Sequence, residues 1–358
     1  MSKLNNLLKK MEDENMDGFM VTGEWNRRYL SGFTGSNGVL LITKNAKQLI
    51  TDYRYVEQAK QQTSYDVILH ADHTGHKGRI FTEVAKQVND LGIKRLGFEQ
   101  QHVNYGDYSK ISELMDSELV PTRDFVEDLR MIKSEAELEL LKTASKITDE
   151  AYLNILNKIQ PGMTELEVAE KLETYIKNNG GTTTGFSPIV ASGIRSSLPH
   201  GRASDKVIEK GEMITIDFGA NYKGYWADIS RTVSLGEPES RVKEIQEIVL
   251  KSFENCVSNL KAGLSDQEVD WLMREYITET GFNDQSGTGT GHGIGLEVHE
   301  KPLFSVLKEK ELKANMIITV EPGIYLPNIG GARVEDVLLI TEEGCETLTP
   351  STKKLVLV

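Results

Sequence analysis

The first third of the chain alternates short apolar runs with amphipathic stretches. Residues 3–14 repeat apolar positions at helical spacing, and similar patterns recur at 79–91 and 108–115. Between them lie the apolar runs GFMVT, GVLLIT and KQLIT. Turn residues bound each run, which is typical of strands. Strands that alternate with helices predict an α/β domain over residues 1–125.

A long charged helix pattern follows this region. The segment 126–159 lacks glycine and proline and repeats apolar residues at helical spacing. Ser134 followed by Glu137 fits a capping box, in which the two side chains satisfy free N–H groups at a helix start. We therefore place the domain boundary just before this segment, so that the second domain covers 126–358.

The second domain contains an internal repeat. GMTELEVAEKLETYIKNNG at 162–180 aligns without gaps with GLSDQEVDWLMREYITETG at 263–281, and six aligned positions are identical. Thr164 and Ser265 are each predicted to cap the N-terminus of a helix. Downstream, EMITIDFGANY resembles NMIITVEPGIY. Chance similarity between two amphipathic helices is the alternative. A duplication predicts two halves around a pseudo-twofold axis, with a site between them.

Four carboxylates occupy matching places in these two halves. Strand alternation in MITIDFG points Asp217 to the face opposite its isoleucine neighbours, and a hairpin returns Asp228 beside it. Glu321 and Glu335 occupy the corresponding places in the second copy. Crowded, partly buried carboxylates repel one another and are costly to desolvate. Two divalent cations would balance the four charges, whereas acids at strand ends in water would need no cation.

The glycine-rich segment 287–302, GTGTGHGIGLEVHEKP, is the other dense motif. No GxGxxG register fits it, and the second histidine of HExxH is absent. Its glycines let the backbone approach a ligand closely, and His292 among them is the natural nitrogen ligand. His200 and His299 also lie in motif-like segments, LPHGR and EVHEK.

Three further histidines and both cysteines are predicted to have no role in the site. His70, His73 and His76 have metal-like spacing, but they lie among turn residues, which predicts a solvated loop. Cys256 and Cys345 are too few for a disulfide framework or a four-cysteine zinc site. We expect both to be reduced packing residues.

Composition narrows the class of protein. Of the 358 residues, 39% are hydrophobic and 27% are charged, which is ordinary for a soluble globular protein. The net charge of −13 argues against a nucleic-acid partner. The N-terminus lacks a signal-peptide pattern, and no apolar run reaches the roughly 18 residues of a membrane span. We therefore expect a cytoplasmic protein with no membrane partner.

Together these motifs resemble the Xaa-Pro aminopeptidase and prolidase branch of the pita-bread metallopeptidases. The matching segments in the second domain are ITIDFGA, WADISRTV, GTGHGIGLEVHE, TVEPGIY and RVEDVLLIT. NRRYLSGFTGSNGVLLIT and TDYRYVEQA resemble the creatinase-like N-terminal domain. The resemblance covers essentially the whole chain. It implies the α/β (α+β) class, with a creatinase-like N-terminal α/β domain over 1–125 and a pita-bread catalytic domain with an internal pseudo-twofold repeat over 126–358.

The resemblance also implies the residues of the site. The family pattern places metal ligands at Asp217, Asp228, His292, Glu321 and Glu335. His200 and His299 match the two histidines near the substrate, and Arg333 matches an arginine that braces a ligand carboxylate. Related sequences often carry a histidine four residues before the histidine ligand. Thr288 stands there in this chain, which puts one substrate contact in doubt.

The implied reaction is hydrolysis of the bond between an N-terminal residue and a following proline. Two divalent ions would activate a water; Mn²⁺ is the first choice, and Co²⁺ or Zn²⁺ could substitute. Glu321 would carry the proton toward the leaving nitrogen. His200 or His299 would donate to the developing oxyanion. The substrates would be peptides with proline at the second position, and the resemblance suggests a homodimer.

Three functional classes fit this family. An Xaa-Pro aminopeptidase is expected first, because SGFTGSNGVLLIT and TDYRYVEQA look more like the aminopeptidase type. An Xaa-Pro dipeptidase (prolidase) is the alternative. Arg54 could fix the carboxylate of a dipeptide, or it could pair with Asp52 or Glu57 on the domain surface. A non-catalytic pita-bread binding protein would be expected to lose ligands, and this chain keeps them.

Overall fold

The computed structural model describes residues 3–71, 74, 80–184, 186–287, 289–304, 306–307 and 310–358. The chain divides into two compact units, Met1–Arg130 and Met131–Val358. Within the described ranges, no helix is both long and apolar enough to cross a membrane. The domain boundary that the sequence places between residues 125 and 126 stays a prediction.

The first unit is built around one mixed sheet. Its described elements are α1 (Lys3–Asp13), β1 (Gly18–Val21), α2 (Glu24–Ser31), β2 (Val39–Thr43), β3 (Lys47–Asp52), α3 (Val56–Gln62), β4 (Asp66–Ala71), α4 (Ile80–Asp90), β5 (Arg95–Glu99), α5 (Tyr105–Leu114), β6 (Glu118–Thr122) and α6 (Glu127–Met131). The strand order is β4-β3-β2-β1-β5-β6. The pairs β1–β2 and β2–β3 are antiparallel, and the others are parallel.

The predicted elements of this unit are present with small shifts. The three apolar runs form β1, β2 and β3, and α1 and α4 fall on two of the predicted helices. Helix α5 begins at Tyr105, earlier than predicted. Asn104 caps it, since the Asn104 side chain accepts a hydrogen bond from the backbone N–H of Asp107.

One prediction in this unit is wrong. His70 lies half-buried on β4 rather than in a solvated loop. The apolar run before it pairs in parallel with β3, so strand pairing continues past the histidine. His73 and His76 lie outside the described residues.

The second unit repeats one helix-and-sheet arrangement. The elements of its first half are α7 (Glu135–Leu156), α8 (Glu165–Asn178), β7 (Ile189–Ser192), β8 (Met213–Phe218), β9 (Asn221–Tyr222), β10 (Tyr225–Trp226) and β11 (Ile229–Ser234). The remainder comprises α9 (Ser240–Asn259), α10 (Asp266–Glu279), β12 (His292–Gly293), β13 (Glu300–Leu303), β14 (Ile317–Val320), β15 (Gly323–Leu326), β16 (Gly330–Arg333), β17 (Asp336–Ile340), β18 (Cys345–Thr347) and β19 (Val356–Leu357).

The predicted repeat is visible in the structure. Helices α8 and α10 each have 14 residues and each begin behind a capping box. Thr164 and Ser265 are the N-caps, as predicted, and the capping carboxylates are Glu167 and Glu268. The long helix pattern starting at 126 is interrupted, because Ser134 caps a new helix, α7, after the short α6.

The two halves each pack a pair of helices on one sheet. The first sheet has the order β19-β11-β8-β7, and the second has the order β13-β12-β14-β17-β18. Ile214 and Ile216 of β8 share a core cluster with residues of α7 and α8. Burial of each such side chain contributes about 1.5–3 kcal/mol. Since side chains alternate along a strand, Thr215 and Asp217 face away from these helices.

Both cysteines are free. Cys256 is buried in the core cluster of the second half, and Cys345 packs against it. Burial raises the pKa of the Cys345 thiol above its usual range. Both residues therefore behave as the packing residues that the sequence predicts.

Candidate metal-binding site

The first half of the second unit supplies two carboxylates through a hairpin. Asp217 lies on β8 and is paired with Ser230 of β11. Asp228 directly precedes β11. The small ribbon β9–β10 connects the strands through a turn at Lys223 and Gly224, both with positive φ. The left-handed conformation suits the glycine and lets the hairpin bring Asp228 back beside Asp217.

The second half supplies two more carboxylates at the corresponding places. Glu321 directly follows β14, and Glu335 directly precedes β17. Glu335 is tied to the first half, since its N–H donates to the carbonyl of Ser230 over 3.0 Å. The Ser230 hydroxyl in turn donates to Oε2 of Glu335 over 2.7 Å. The two halves therefore fix these carboxylates against one another.

His292 faces these carboxylates with one ring nitrogen. Its Nε2 lies 3.5 Å from Oε1 of Glu321 and 4.0 Å from Oδ2 of Asp228. Its Nδ1 lies 3.0 Å from the carbonyl of Gly293. A carbonyl can only accept, so Nδ1 carries the proton and the Nε2 lone pair points at the carboxylates. Burial lowers the pKa of His292 to about 3, which keeps the ring neutral and able to bind a cation.

The backbone at His292 is held on both sides. The His292 N–H donates to the hydroxyl of Thr319 over 3.1 Å. Gly291 has a φ of +153°, and a Cβ there would lie 2.2 Å from the carbonyl oxygen of Thr319. Only glycine can pass so close to β14. The glycine-rich sequence therefore fixes where the imidazole enters the site.

Arg333 joins several elements around Asp217. Its Nη2 donates to Oδ2 of Asp217 over 2.5 Å, and its Nε donates to the hydroxyl of Ser230 over 2.7 Å. Its Nη1 donates to the carbonyl of Pro199 and to the hydroxyl of Tyr325. A buried guanidinium with this many partners holds the carboxylate in one orientation.

Burial and mutual repulsion raise the pKa values of three carboxyl groups. Burial raises the pKa of Asp228 well above its usual range, and the neighbouring carboxylates raise it further. The same causes act on the pKa of Glu335. Burial raises the pKa of Glu321 to about 7, while Arg333 opposes that shift. The chain therefore gathers more negative charge here than its own cations neutralise.

The carboxylate oxygens fit a bound metal. Buried oxygens of Asp217 (Oδ1), Asp228 (Oδ1) and Glu335 (Oε1) have no hydrogen-bond partner among the described residues. Asp228, His292 and Glu335 each offer one ligand atom, and these atoms lie within 4.8 Å of one another. A buried acceptor without a partner is costly. A divalent cation would satisfy these oxygens, and oxygen donors with one imidazole suit such an ion.

A second cluster in the first unit has a different character. Glu99, His102 and Glu127 also lie close enough to hold an ion. However, both Glu99 oxygens accept hydrogen bonds, from the N–H groups of Thr22 and Gly23 and from the Asn26 amide. Hydrogen bonds within the chain already satisfy this buried carboxylate, so the cluster is structural.

A pocket of about 650 Å³ opens on the carboxylates. His200 and His299 line it, and both are exposed. The His299 ring lies edge-on to His292, with ring centroids 4.4 Å apart. Partial desolvation in the pocket lowers the pKa of His299, which favours the neutral ring. Phe186 and Leu303 add apolar wall. This size and lining are usual for a small-ligand site.

The structure also contains site residues that the sequence did not single out. Ser230 contacts both Glu335 and Arg333, and Tyr325 contacts Arg333. Ser230 could have been found from the strand pattern, because it lies two residues after Asp228 on the same face. Tyr325 lies in the quoted motif TVEPGIY, but no pattern in the sequence indicates that it contacts Arg333.

Two further sequence-based expectations concern residues away from the carboxylates. Arg54 forms a two-point ion pair with Asp52, with distances of 2.9 and 2.8 Å. Glu57 pairs with Lys60 instead. Arg54 therefore has the surface role that the sequence offered as one of two options. Thr288 lies outside the described residues.

Known proteins match the chain over its whole length. The model of metallopeptidase family M24 matches residues 139–342, and the creatinase/prolidase N-terminal domain matches 3–132. An Xaa-Pro dipeptidase from Pyrococcus horikoshii is 37% identical over 99% of this chain and 98% of its own.

Two solved structures are also similar. The Xaa-Pro dipeptidase from Bacillus anthracis is 48% identical, with a TM-score of 0.95 over 99% of both chains. The X-Pro aminopeptidase from Thermotoga maritima is 41% identical, with a TM-score of 0.88 over 98% of this chain and 100% of that one. These likenesses match the fold expected from the sequence, a creatinase-like domain followed by a pita-bread domain.

Proposed function

The chain belongs to metallopeptidase family M24, and we propose that it hydrolyses the bond between an N-terminal residue and a following proline. The observation that carries this proposal is the group of Asp217, Asp228, His292, Glu321 and Glu335 beside one pocket. Three of its buried carboxylate oxygens have no hydrogen-bond partner among the described residues. A non-catalytic binding protein would have no reason to keep this costly arrangement.

We propose that the five residues hold two divalent ions, with Mn²⁺ as the first choice. Four carboxylates carry four negative charges, which two such ions would neutralise. When bound, the ions polarise the scissile carbonyl and make water a better nucleophile. Arg333 and Ser230 would hold the ligands Asp217 and Glu335 in place.

The chain's own groups have distinct tasks in this proposal. Glu321 borders both the ligand cluster and the pocket, so its carboxylate can accept a proton from water and pass it to the leaving proline nitrogen. His200 and His299 line the pocket, where each can supply an N–H donor for the developing oxyanion. Phe186 and Leu303 offer apolar surface to the proline ring.

The length of the preferred peptide is a finer question. The N-terminal segments favour an aminopeptidase, whereas the similar proteins carry both names, with dipeptidases at 37% and 48% identity. The metal ligands would serve both reactions equally. The choice therefore depends on what the pocket offers beyond the proline. The cytoplasmic location and the homodimer stay predictions.

Matched peptides test the proposed function. Protein loaded with Mn²⁺ should release the N-terminal residue from an Xaa-Pro peptide at least about tenfold faster than from the matched Xaa-Ala peptide, since Phe186 and Leu303 would contact the ring. Quantifying the released amino acid gives kcat/KM for each substrate. Protein that contains metal but releases nothing from any Xaa-Pro substrate would contradict the proposal.

We expect His200→Ala and His299→Ala to lower kcat while leaving the metals bound. Loss of one donor to a developing oxyanion costs about 10²–10³-fold in kcat. Metal analysis and kcat are measured on the same samples. His70→Ala, in the first unit, is the control and should behave as wild type. Loss of metal from the His299 variant would show that this histidine is a ligand.

A further inference from the structure

Arg202 stands at the end of a row of residues that crosses the site. Arg202 pairs with Ile189 in an isolated bridge, and Ile189 pairs with Asp217 in the sheet. Asp217 pairs with Ser230, which is bridged to Glu335. Directly opposed residues on neighbouring strands project to the same face. The Arg202 side chain therefore projects from the face that carries Asp217 and Glu335.

The spacing of the strands sets how far Arg202 is from the carboxylates. Neighbouring strands lie about 4.8 Å apart, so two steps place the Arg202 backbone roughly 10 Å from that of Asp217. The side chain is exposed and lines the same pocket. A long, flexible side chain on this face can approach the proline end of a substrate whose scissile bond lies at the carboxylates.

Hydrogen bonds hold the backbone of Arg202 in place, whereas its guanidinium remains available to a ligand. The Arg202 N–H donates to the carbonyl of His200 over 2.8 Å, and the Arg195 guanidinium donates to the carbonyl of Arg202 over 2.9 Å. Among the described residues, no hydrogen bond or ion pair engages the Arg202 guanidinium. Two arginines near it already have carboxylate partners: Arg195 pairs with Glu165 and Arg333 pairs with Asp217.

The chemistry of this position points to an anionic group on the substrate. A guanidinium binds a carboxylate through two parallel hydrogen bonds. The carboxylates of the pocket are already assigned to metals, so they are not its partners. In an Xaa-Pro dipeptide, the free carboxylate lies only one residue, about 3.5 Å, beyond the scissile bond. In a longer peptide, an uncharged amide occupies that place.

We propose that Arg202 is a specificity-determining residue that binds the free carboxylate after proline, so that Xaa-Pro dipeptides are preferred to longer peptides. The inference rests on the proposed function and deepens it. The proposal favours dipeptidase activity, whereas the N-terminal segments favour an aminopeptidase.

The test varies the substrate carboxylate and Arg202 together. The substrates are the dipeptide alanyl-proline, its carboxamide alanyl-prolinamide, and alanyl-prolyl-alanine. The carboxamide has nearly the same shape but no charge. Wild type should favour the dipeptide over the carboxamide by about tenfold or more in kcat/KM, as expected for a hydrogen bond to a charged group.

Arg202→Gln should remove that preference. We expect kcat/KM for the dipeptide to fall about 10- to 100-fold, mainly through KM, because the contact binds substrate in both ground and transition states. The carboxamide and the tripeptide should change by less than about threefold. Arg202→Lys should retain part of the preference, since it keeps the charge but loses the two-point geometry.

The control is Arg241→Gln, which removes the same charge from an exposed position on α9 that pairs with Glu244. This variant should keep the wild-type preference. An equal loss on all three substrates in Arg202→Gln would overturn the inference, because the side chain would then act without regard to the substrate carboxylate. A wild-type enzyme that cleaves the carboxamide or the tripeptide as well as the dipeptide would overturn it too. Failure to cleave any Xaa-Pro substrate would instead overturn the proposed function.

Discussion

Removal of divalent metal with a chelator is expected to abolish hydrolysis of Xaa-Pro peptides, and added Mn²⁺ is expected to restore it. Asp217, Asp228 and Glu335 each have a buried oxygen that no described residue satisfies. His292 adds a neutral nitrogen directed at the same place. Without ions, nothing in the pocket makes water nucleophilic enough at neutral pH.

The experiment pairs metal analysis with kinetics. Metal content and kcat are measured on the same sample before chelation, after it and after reconstitution with Mn²⁺, Co²⁺ or Zn²⁺. Activity should follow occupancy. Full activity in a preparation shown to contain no metal would contradict the prediction and, with it, the assignment of the carboxylates.

The same chelated protein should show an unusual dependence of stability on pH. Burial raises the pKa of Glu321 from its ordinary value of 4.5 to about 7, and the pKa values of Asp228 and Glu335 are raised as well. A carboxyl group whose pKa is higher in the folded state favours folding when protonated. That stabilisation is complete below the unfolded pKa and is lost as pH rises through the folded pKa.

Thermal unfolding of the metal-free protein should therefore give a Tm that falls between about pH 5 and pH 8. Metal-loaded protein should show a smaller fall over the same range, because the ions keep the carboxylates ionised. Glu335→Gln removes one of the repelling charges and should flatten the metal-free curve. A metal-free Tm that rises across this range would show that the carboxylates are not buried together.

Local patterns account for what the sequence could predict. Capping boxes, apolar periodicity and strand alternation act within a few residues, so the helices behind Thr164 and Ser265 and the face of Asp217 could be read directly. The duplicated placement of acids added the expectation of a shared site. The resemblance to a family then extended that expectation to specific roles, including those of His200 and His299.

Local patterns could not predict contacts between the halves. Ser230 and Glu335 are 105 residues apart, and Arg333 and Asp217 are 116 apart. No spacing rule links such positions; only the fold brings them together. Arg202 is the last residue of the segment LPHGR, but the sequence singled out only His200 there. The pairing of Arg202 with Ile189 becomes apparent only in the structure. His70 was misjudged because pairing with a distant strand outweighed the turn residues around it.

Glu321→Gln is expected to lower kcat by at least about 10²–10⁴-fold, the range typical for loss of general acid–base help. Glutamine matches the size of glutamate and keeps one oxygen that can face a cation. It loses the negative charge and cannot accept a proton. Glu321 lies 3.5 Å from His292 and is 24% exposed at its side chain, so it reaches both the cluster and the pocket. The substitution should lower kcat strongly and change the thermal stability of the protein little.

The measurement combines kcat, metal content and thermal unfolding for the purified variant. Glu311→Gln, exposed and outside the pocket, is the matched control and should retain wild-type values. If the variant kept more than about a tenth of wild-type kcat with normal metal content, Glu321 could not be the group that carries the proton to the leaving proline.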